Sequence, residues 1–252
     1  MSVYDGIAER YDDTRGGERR GDEFATELDR RLPAGSGPVL EIGVGTGVVS
    51  LGLRRRGRVV LGLDVSGSML ARASSRLGPV VIRGDARVQP VRSRSVPHAV
   101  SVWVLQHIDP PRALFDEVAR ILRPGGRYLV CPVNRMTEDD LIEPIMAGMW
   151  ERAQQLSPPW RPRHVAADDI SAWAAESGFT GHVESFASSP WNITAEDQIR
   201  AIRDRVFPAL RAIDDRVYEE VAGPAIAALE ALPTGPITRR AEIDIVVLAP
   251  PA

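Results

Sequence analysis

The stretch Val39–Ser50, VLEIGVGTGVVS, decides the fold of this chain. Its first residues are apolar apart from one acid, and they follow the turn-forming segment PAGSGP, which indicates a short strand buried on both faces. Glycines alternate with other residues in the next segment, where the missing Cβ lets the backbone turn tightly and approach a ligand closely. Apolar residues at helical spacing then continue to about Arg56. The pattern predicts a strand, a glycine loop and a helix.

The spacing of this loop bears on which cofactor it holds. A dinucleotide-binding loop, G-x-G-x-x-G, requires glycine or alanine at the position that Val48 occupies here. Glu41 stands two residues before the loop, where a carboxylate would repel a diphosphate but suits a cation. These two residues argue against a nicotinamide-dependent reductase and favour a cationic cofactor without phosphate.

Further strands follow at the spacing of an α/β fold. The second predicted strand ends at Asp64, about 20 residues beyond the first glycine, where nucleotide-binding units keep their ribose partner. Val65 and Met69 are placed to clamp an adenine face. The predicted third strand is followed by Gly84-Asp85-Ala86. The fourth is predicted at 96–104 and the fifth at 127–132, with Leu-Arg-Pro-Gly-Gly ending the helix between them.

The E-x-G-x-G-x-G spacing and the Leu-Arg-Pro-Gly-Gly turn resemble those of class I S-adenosylmethionine (SAM) methyltransferases. Gln106-His107-Ile108 resembles the His-His-aliphatic step of the small-molecule enzymes of ubiquinone and menaquinone biosynthesis, and the chain is similar to that group. The resemblance implies SAM as cofactor and an α/β fold: a doubly wound, seven-stranded, mostly parallel sheet with helical insertions after strand 5 and between strands 6 and 7. It also implies that Tyr11 lies against the methionine end and that Asp85 receives the adenine amino group. The expected cofactor-binding residues are Tyr11, Glu41, Gly43, Gly45, Gly47, Asp64, Val65, Met69, Asp85, Ala86 and Trp103.

We expect a single methyltransferase domain over residues 1–252. Its expected parts are an N-terminal helical segment at 1–35, a SAM-binding core at 36–133, and a helical cap at 134–178 and 190–238. The sixth and seventh strands are predicted near 181–187 and 241–248.

Several local features are also expected. Ser66 and Asp109 are predicted to cap the helices that follow them, and Thr194-Ala195-Glu196-Asp197 has the form of a capping box. The helix near 218–232 is expected to be interrupted or to restart at Pro224. Cys131, at the end of the fifth strand, is expected to be buried and apolar, and Trp160 lies near the tryptophans expected to cover the acceptor. Tyr4 forms a pair with Tyr11 in the N-terminal segment, and packing is its favoured role.

The cap is where we expect the acceptor to be recognised. Residues 138–156 carry an apolar stripe wider than a surface helix needs, although most of such a stripe ordinarily packs against neighbouring elements. The predicted acceptor-binding residues are Met146, Trp150, His164 and Trp191. His107, just past the fourth strand, is the candidate general base, with a structural role the alternative favoured over it.

The whole chain limits the function further. A net charge of -3 over 252 residues gives no electrostatic footprint for nucleic acid, and the single cysteine excludes a cysteine-based zinc cluster. There is no apolar run of about 18 residues and no signal peptide, so a soluble cytoplasmic enzyme is expected. We expect a small, apolar or aromatic acceptor of the kind found in secondary metabolism, and no metal. A fold that binds SAM without methyl transfer, as a scaffold or cyclase, remains the alternative.

Overall fold

The computed structural model describes Ala8, Tyr11–Asp12 and residues 16–35, 37–157 and 165–251. The chain forms two compact units. The larger comprises residues 1–133, 164–186 and 243–252, and the smaller comprises 134–163 and 187–242. The smaller unit therefore contains much of the expected cap, whereas residues 164–178, expected in the cap, belong to the larger unit.

The strands, in chain order, are β1 (Val39–Ile42), β2 (Val60–Asp64), β3 (Val81–Arg83), β4 (Val96–Val102), β5 (Leu122–Cys131), β6 (Arg135–Met136), β7 (Thr180–Ala187), β8 (Trp191–Thr194), β9 (Pro236–Arg239) and β10 (Ala241–Ala249). The helices are α1 (Gly17–Arg31), α2 (Val48–Arg55), α3 (Gly67–Leu77), α4 (Pro111–Ile121), α5 (Glu143–Leu156), α6 (Ala167–Glu176), α7 (Ala195–Arg203), α8 (Pro208–Ala212) and α9 (Asp215–Glu230). A short 3-10 turn, Leu105–His107, follows β4.

The sheet of the larger unit has the strand order β3-β2-β1-β4-β5-β10, with β7 also pairing with β10. Strands β1 to β5 pair in parallel, and β10 runs antiparallel to β5. The order reverses between β1 and β4, and open α/β sheets bind ligands at such a switch point, beyond the carboxyl ends of the strands. The expected doubly wound, mostly parallel sheet is confirmed.

Alternate residues of the central strands contribute to two apolar clusters. Leu40 and Tyr128 belong to one cluster, and their neighbours Val39 and Leu129 belong to the other. Every residue of β1 and β4 is buried, as expected for parallel strands covered on both faces. Cys131 ends β5 inside the second cluster, where burial raises the pKa of its thiol. The cysteine therefore has the apolar role expected from its position.

Helix α1 packs closely on α2 because glycines lie at their contact. A Cβ atom added to Gly21 would lie 2.7 Å from Val48, and one added to Gly52 would lie 2.6 Å from the Cβ of Ala25. The Arg56 guanidinium joins the two segments through a 2.6 Å ion pair with Asp22. This contact fixes α1 beside the start of α2, which is the helix that follows the glycine loop.

Two local expectations were wrong. Strand β5 was predicted to begin at Arg127, but it begins at Leu122, which pairs with Val96 before the register shifts to Arg127 opposite His98. The Arg-Pro-Gly-Gly segment is therefore an irregularity within the strand and not a separate turn. Asp109 was expected to cap α4. The helix begins one residue too late for that role, since its N-cap is Pro110.

The smaller unit has its own apolar core, formed mainly by α5, α7 and α9. The expected capping box is present: the Thr194 hydroxyl accepts the Asp197 N–H at 3.0 Å, and helix α7 follows. Helix α9 continues through Pro224, where an interruption or restart was expected. Strands β8 and β9 pair antiparallel and were not predicted, since each has only four residues and they are far apart in sequence.

A nearly buried ion pair joins the ends of the smaller unit's segments. The Arg239 Nε atom lies 2.6 Å from Asp140, whose side chain is 1% exposed. Asp140 also accepts the Glu143 N–H at 2.7 Å, at the start of α5. Within the described residues, no helix is both long enough and apolar enough to cross a membrane.

His98 in β4 is buried, and its protonation should affect folding. Its Nδ1 atom accepts the Arg127 N–H at 3.1 Å, while its Nε2 atom is buried without a hydrogen-bond partner. Burial, together with the positive charges of Arg58 and Arg127, lowers the pKa of His98 to about 4. The folded protein therefore keeps this imidazole neutral at pH values where the unfolded chain protonates it.

We predict that His98→Asn removes part of the loss of stability in acid. Because the folded-state pKa is depressed, the wild type should lose stability as the pH falls from about 7 towards 4, by about 2 kcal/mol at pH 5 from this group. Asparagine retains an acceptor for the Arg127 N–H but does not titrate. Urea denaturation at pH 7.5 and pH 5 measures the difference. His182→Asn, at an exposed histidine paired with Glu184, is the control and should keep the loss of stability that His98 causes between pH 7.5 and pH 5. An equal reduction of that loss in both variants would contradict the assignment.

Candidate functional site

The glycine loop lies at the carboxyl end of β1, beside the switch point of the sheet. Gly43, Gly45 and Gly47 all have positive φ angles, of 78°, 53° and 84°. A Cβ atom on Gly43 would lie 2.3 Å from a methyl group of Val104, whereas one on Gly45 would meet nothing within 4 Å. The loop therefore needs glycine for its conformation and, at Gly43, for space as well.

Asp64, at the end of β2, holds this loop in place. One carboxylate oxygen accepts the Gly45 N–H at 2.9 Å, and the other accepts the Ser66 N–H at 2.8 Å. A carboxylate has about four acceptor positions, so this orientation is compatible with accepting hydrogen bonds from a ribose diol. Ser66 also caps α3, since its side chain accepts the Met69 N–H, as expected.

Glu41 is a buried acid directly behind the loop. It is 3% exposed, and the Ser50 hydroxyl of α2 donates to it at 2.5 Å. Burial raises the pKa of Glu41 to about 8, an effect that hydrogen bonding from Ser50 opposes and the negative charge of Asp64 adds to. The sequence predicted an acid here; its low exposure is a result of the tertiary structure.

A cavity of about 60 Å³ opens beside this acid. Its lining includes Tyr11, Arg20, Glu41, Gly45 and Trp103. Arg20 was not predicted as a site residue: it is 7% exposed, and its Cζ atom lies 5.2 Å from the centre of the Trp103 ring. Nothing in the sequence distinguished it, since all 31 basic residues are arginine. The cavity is thus lined by one buried acidic side chain, Glu41, and one buried cationic side chain, Arg20.

The N-terminal segment contacts both the loop and α3. Tyr11 packs with Ala8 and the buried Met69. The Asp12 carboxylate accepts the Thr46 hydroxyl at 2.6 Å and forms an ion pair with Arg76, which also donates to the Thr46 carbonyl at 2.7 Å. These contacts bring Tyr11 and Met69 together near the glycine loop. Tyr4, the less certain member of the N-terminal pair, lies outside the described residues.

Asp85 has a partner that the sequence did not predict. The Arg87 guanidinium pairs with both oxygens of Asp85, with the closest contact at 2.7 Å, and it lowers the pKa of this carboxyl group. Arg87 also donates to the Asp109 carbonyl at 2.8 Å. Val65 is 55% exposed, and Ala86 packs at the margin of the first apolar cluster. The surface at which these residues were expected to bind adenine is therefore open to solvent. An adenine amino group that bound Asp85 would share the carboxylate oxygens with Arg87.

Trp103 and His107 follow β4 with different exposure. Trp103 has a positive φ of 56°, is half-buried, and packs edge-on against Phe24 with ring centres 5.0 Å apart. The Gln106 side chain donates to its carbonyl at 2.7 Å. His107 is exposed in the 3-10 turn just beyond the carboxyl end of β4.

The acceptor-binding predictions concern the smaller unit. Met146 is 5% exposed there, and the Gln198 amide donates to its sulfur at 3.1 Å, so its contacts are those of a core residue. Trp150 is half-buried, with its ring 5.4 Å from that of Phe207. Trp191 is half-buried beneath the Arg239 guanidinium, 5.8 Å from its ring centre. His164 and Trp160 lie outside the described residues.

A larger cleft of about 900 Å³ lies elsewhere in the larger unit, lined by residues such as Arg31, Arg127, His182 and Glu184. Several of the charged side chains that line this cleft pair with one another. Arg31 contacts Glu27 at 2.9 Å and Glu184 at 2.8 Å, and His182 contacts Glu184 at 2.9 Å. None of the predicted site residues lines this cleft.

Comparison with known proteins decides the family. Residues 40–130 match the family model described as a methyltransferase domain. A demethylmenaquinone methyltransferase of Mycobacterium bovis is 31% identical over 180 residues, which are 68% of this chain and 76% of that protein. This chain belongs to the class I SAM-dependent methyltransferases. A second demethylmenaquinone methyltransferase, from Mycolicibacterium paratuberculosis, is 29% identical over 72% of this chain and 82% of its own.

Solved structures show the same fold at lower identity. A Bacillus halodurans protein solved as a candidate methyltransferase superposes with a TM-score of 0.60 at 17% identity, covering 91% of this chain and 99% of its own. A Haemonchus contortus phosphoethanolamine N-methyltransferase in complex with SAM gives a TM-score of 0.53 at 22% identity, covering 94% of this chain and 53% of that chain.

The residues present suit SAM as cofactor. The glycine loop has no side chains facing the open space at Gly45, Asp64 offers a carboxylate to a ribose, and the cavity has a buried acid and base for an amino-acid end. The cavity is smaller than the roughly 300–1,000 Å³ of a whole ligand pocket. It therefore suits one end of the cofactor, with the remainder over the loop and the exposed Val65.

We predict different outcomes for Gly43→Ala and Gly45→Ala. The first places Cβ against Val104 and strains the backbone, so it should lower the free energy of unfolding by about 2–4 kcal/mol. The second adds about 1–2 kcal/mol of backbone strain only, but its methyl group enters the space above the loop and should weaken SAM binding at least tenfold. Thermal unfolding and calorimetric titration with SAM measure the two effects. A Gly43→Ala variant as stable as the wild type, or an unchanged SAM affinity in Gly45→Ala, would contradict the loop geometry described above.

Proposed function

We propose that this methyltransferase transfers the methyl group of SAM to a small, apolar or aromatic metabolite. The observation that carries the proposal is the separate helical unit inserted into the methyltransferase fold, whose half-buried tryptophans offer aromatic surface. The relatives named demethylmenaquinone methyltransferases support the same class of acceptor. Nothing in the net charge of -3 favours a polyanionic acceptor.

We place the cofactor on residues of the larger unit. The ribose hydroxyl groups would donate to Asp64, and the backbone of Gly43 and Gly45 would lie along the methionine half. That half is a zwitterion, so its ammonium group suits Glu41 and its carboxylate suits Arg20, the two buried charged residues of the cavity. Tyr11 and Met69 pack beside it, and Val65 supplies an apolar face for adenine.

The protein's main contribution to the reaction is alignment. SAM supplies the electrophilic methyl group, and an acceptor atom held about 3 Å from it in line can gain roughly 7–11 kcal/mol from orientation alone. A base is therefore not always needed. Of the histidines in the described ranges, His107 is the one just past β4 at the carboxyl edge, whereas His98 is buried near the start of β4 and His182 lines the larger cleft. Where the acceptor must lose a proton, we assign the base to His107.

Incubation with methyl-labelled SAM and host-cell extract tests the acceptor class. Label should partition into solvent-extractable small molecules and elute late on a reversed-phase column, as an apolar or aromatic product does. Label in precipitable polymer would refute the proposal, as would a product that elutes with polar metabolites. Heat-inactivated enzyme gives the background.

With the product identified, Trp191→Ala should raise the acceptor KM about tenfold and leave the SAM Kd within twofold of wild type. The reason is that a half-buried aromatic side chain of the smaller unit contributes to the acceptor only. Trp173→Ala is the matched control, since it removes the same side chain from a half-buried position in α6 of the larger unit. An unchanged acceptor KM in Trp191→Ala, or equal losses for SAM and acceptor, would show that Trp191 does not bind the acceptor.

A further inference from the structure

Glu41 lies in the cavity without a cationic partner. In the described part of the chain, Ser50 is its hydrogen-bonding partner, and no arginine forms an ion pair with it. An isolated carboxylate loses much of its hydration when buried, and proteins avoid that cost by keeping the group protonated. In a protonated Glu41, the carbonyl oxygen of the carboxyl group would still accept the hydrogen bond from the Ser50 hydroxyl.

The charged and titratable groups facing Glu41 come from four other segments. Tyr11 and Asp12 belong to the N-terminal segment, and the Asp12 charge is compensated by Arg76. Arg20 of α1 lines the same cavity, and its guanidinium lies over the Trp103 ring.

The remaining two neighbours are acidic or neutral. The Asp64 carboxylate opposes ionisation of Glu41, and the buried Cys131 thiol is uncharged because burial raises its pKa. The balance in the absence of a ligand therefore favours the protonated form, in agreement with the raised pKa of Glu41 at about 8.

We propose that Glu41 holds a proton in the ligand-free protein and releases it to solvent when SAM binds, so that an ionised carboxylate meets the positive charge of the cofactor. The bond that breaks is the Glu41 O–H bond, and the charge left on the carboxylate is balanced by the cation that enters. The inference rests on the proposed placement of the methionine half beside Glu41, and it does not depend on the acceptor. Glu41 is thus a residue that selects for a cationic ligand.

Two consequences follow for binding. SAM affinity should rise with pH, by up to about tenfold per unit, until the pH approaches 8. The α-amino group of SAM acts in the opposite direction, because a site that favours the ammonium binds less well as that group loses its proton. A rise in affinity therefore identifies a group of the protein that ionises on binding.

Calorimetric titration of the full chain with SAM, in buffers of different ionisation enthalpy at pH 7 and pH 9, counts the protons released. The wild type should release close to one proton more than Glu41→Gln at pH 7, and the difference should fade at pH 9. Glutamine matches the protonated acid in shape, so this variant should fold. Glu184→Gln, in the larger cleft, is the control and should behave as wild type. Equal proton counts for wild type and Glu41→Gln would overturn the proposal.

Ser50→Ala gives a second test that does not need the Glu41 variant. Losing the hydroxyl removes a contact that stabilises the ionised carboxylate, so Glu41 should stay protonated to higher pH and the variant should release more protons than the wild type on binding SAM at pH 9. A wild-type affinity that is flat or falls between pH 6 and pH 7.5, or equal proton counts for wild type and Ser50→Ala at pH 9, would also overturn the proposal. Proton release without labelled small-molecule product would refute the acceptor class alone.

Discussion

The site depends on the hydrogen bonds that tie the glycine loop to the end of β2. The N–H groups of Gly43 and Val44 donate to the Leu63 carbonyl, at 2.7 and 3.0 Å, and the Gly45 N–H donates to the Asp64 carboxylate. The loop forms these bonds with Gly43 and Gly45 in the left-handed region, which glycine adopts without a steric penalty. They hold the backbone of the glycine loop next to the Asp64 carboxylate at the switch point of the sheet. The same carboxylate that would bind the ribose thus also holds the loop that would lie beneath the methionine half.

Two charged side chains beside the glycine loop, Glu41 and Arg20, are buried. Glu41 and Arg20 are both nearly inaccessible to water, yet they come from β1 and α1, which are apart in sequence. The two glycines that let α1 approach α2 therefore matter for the site, because they bring Arg20 to the face of Trp103. The ammonium group of an amino-acid ligand would supply Glu41 with an opposite charge. Much of the cost of burying that carboxylate would then be recovered when the ligand binds.

The apolar core of the smaller unit follows the pattern predicted for α5. The apolar stripe of α5 was predicted, and it does pack among helices, so Met146 belongs to a core and not to an exposed surface. Trp150 and Trp191 are only half-buried and keep aromatic surface that the core does not use. The pairing of β8 with β9 could not be predicted, because strands of four residues give too little alternation to recognise. The assignment of α6 to the larger unit depends on Ile170 and Ala174 packing in the first apolar cluster.

The sequence by itself determined the doubly wound sheet, the glycine loop, the acids at Glu41 and Asp64, and the methyltransferase family. It could do so because buried parallel strands and a left-handed loop require particular residue types within a few positions of one another. Only the tertiary structure decided that Arg20 lines the cavity and that Arg87 pairs with Asp85. It also decided that Glu41 is buried with no cationic partner among the described residues. Each of these depends on which distant segments pack together. Burial and pairing of a charge are set by that packing, since they depend on all the atoms around the group and not on its neighbours along the chain.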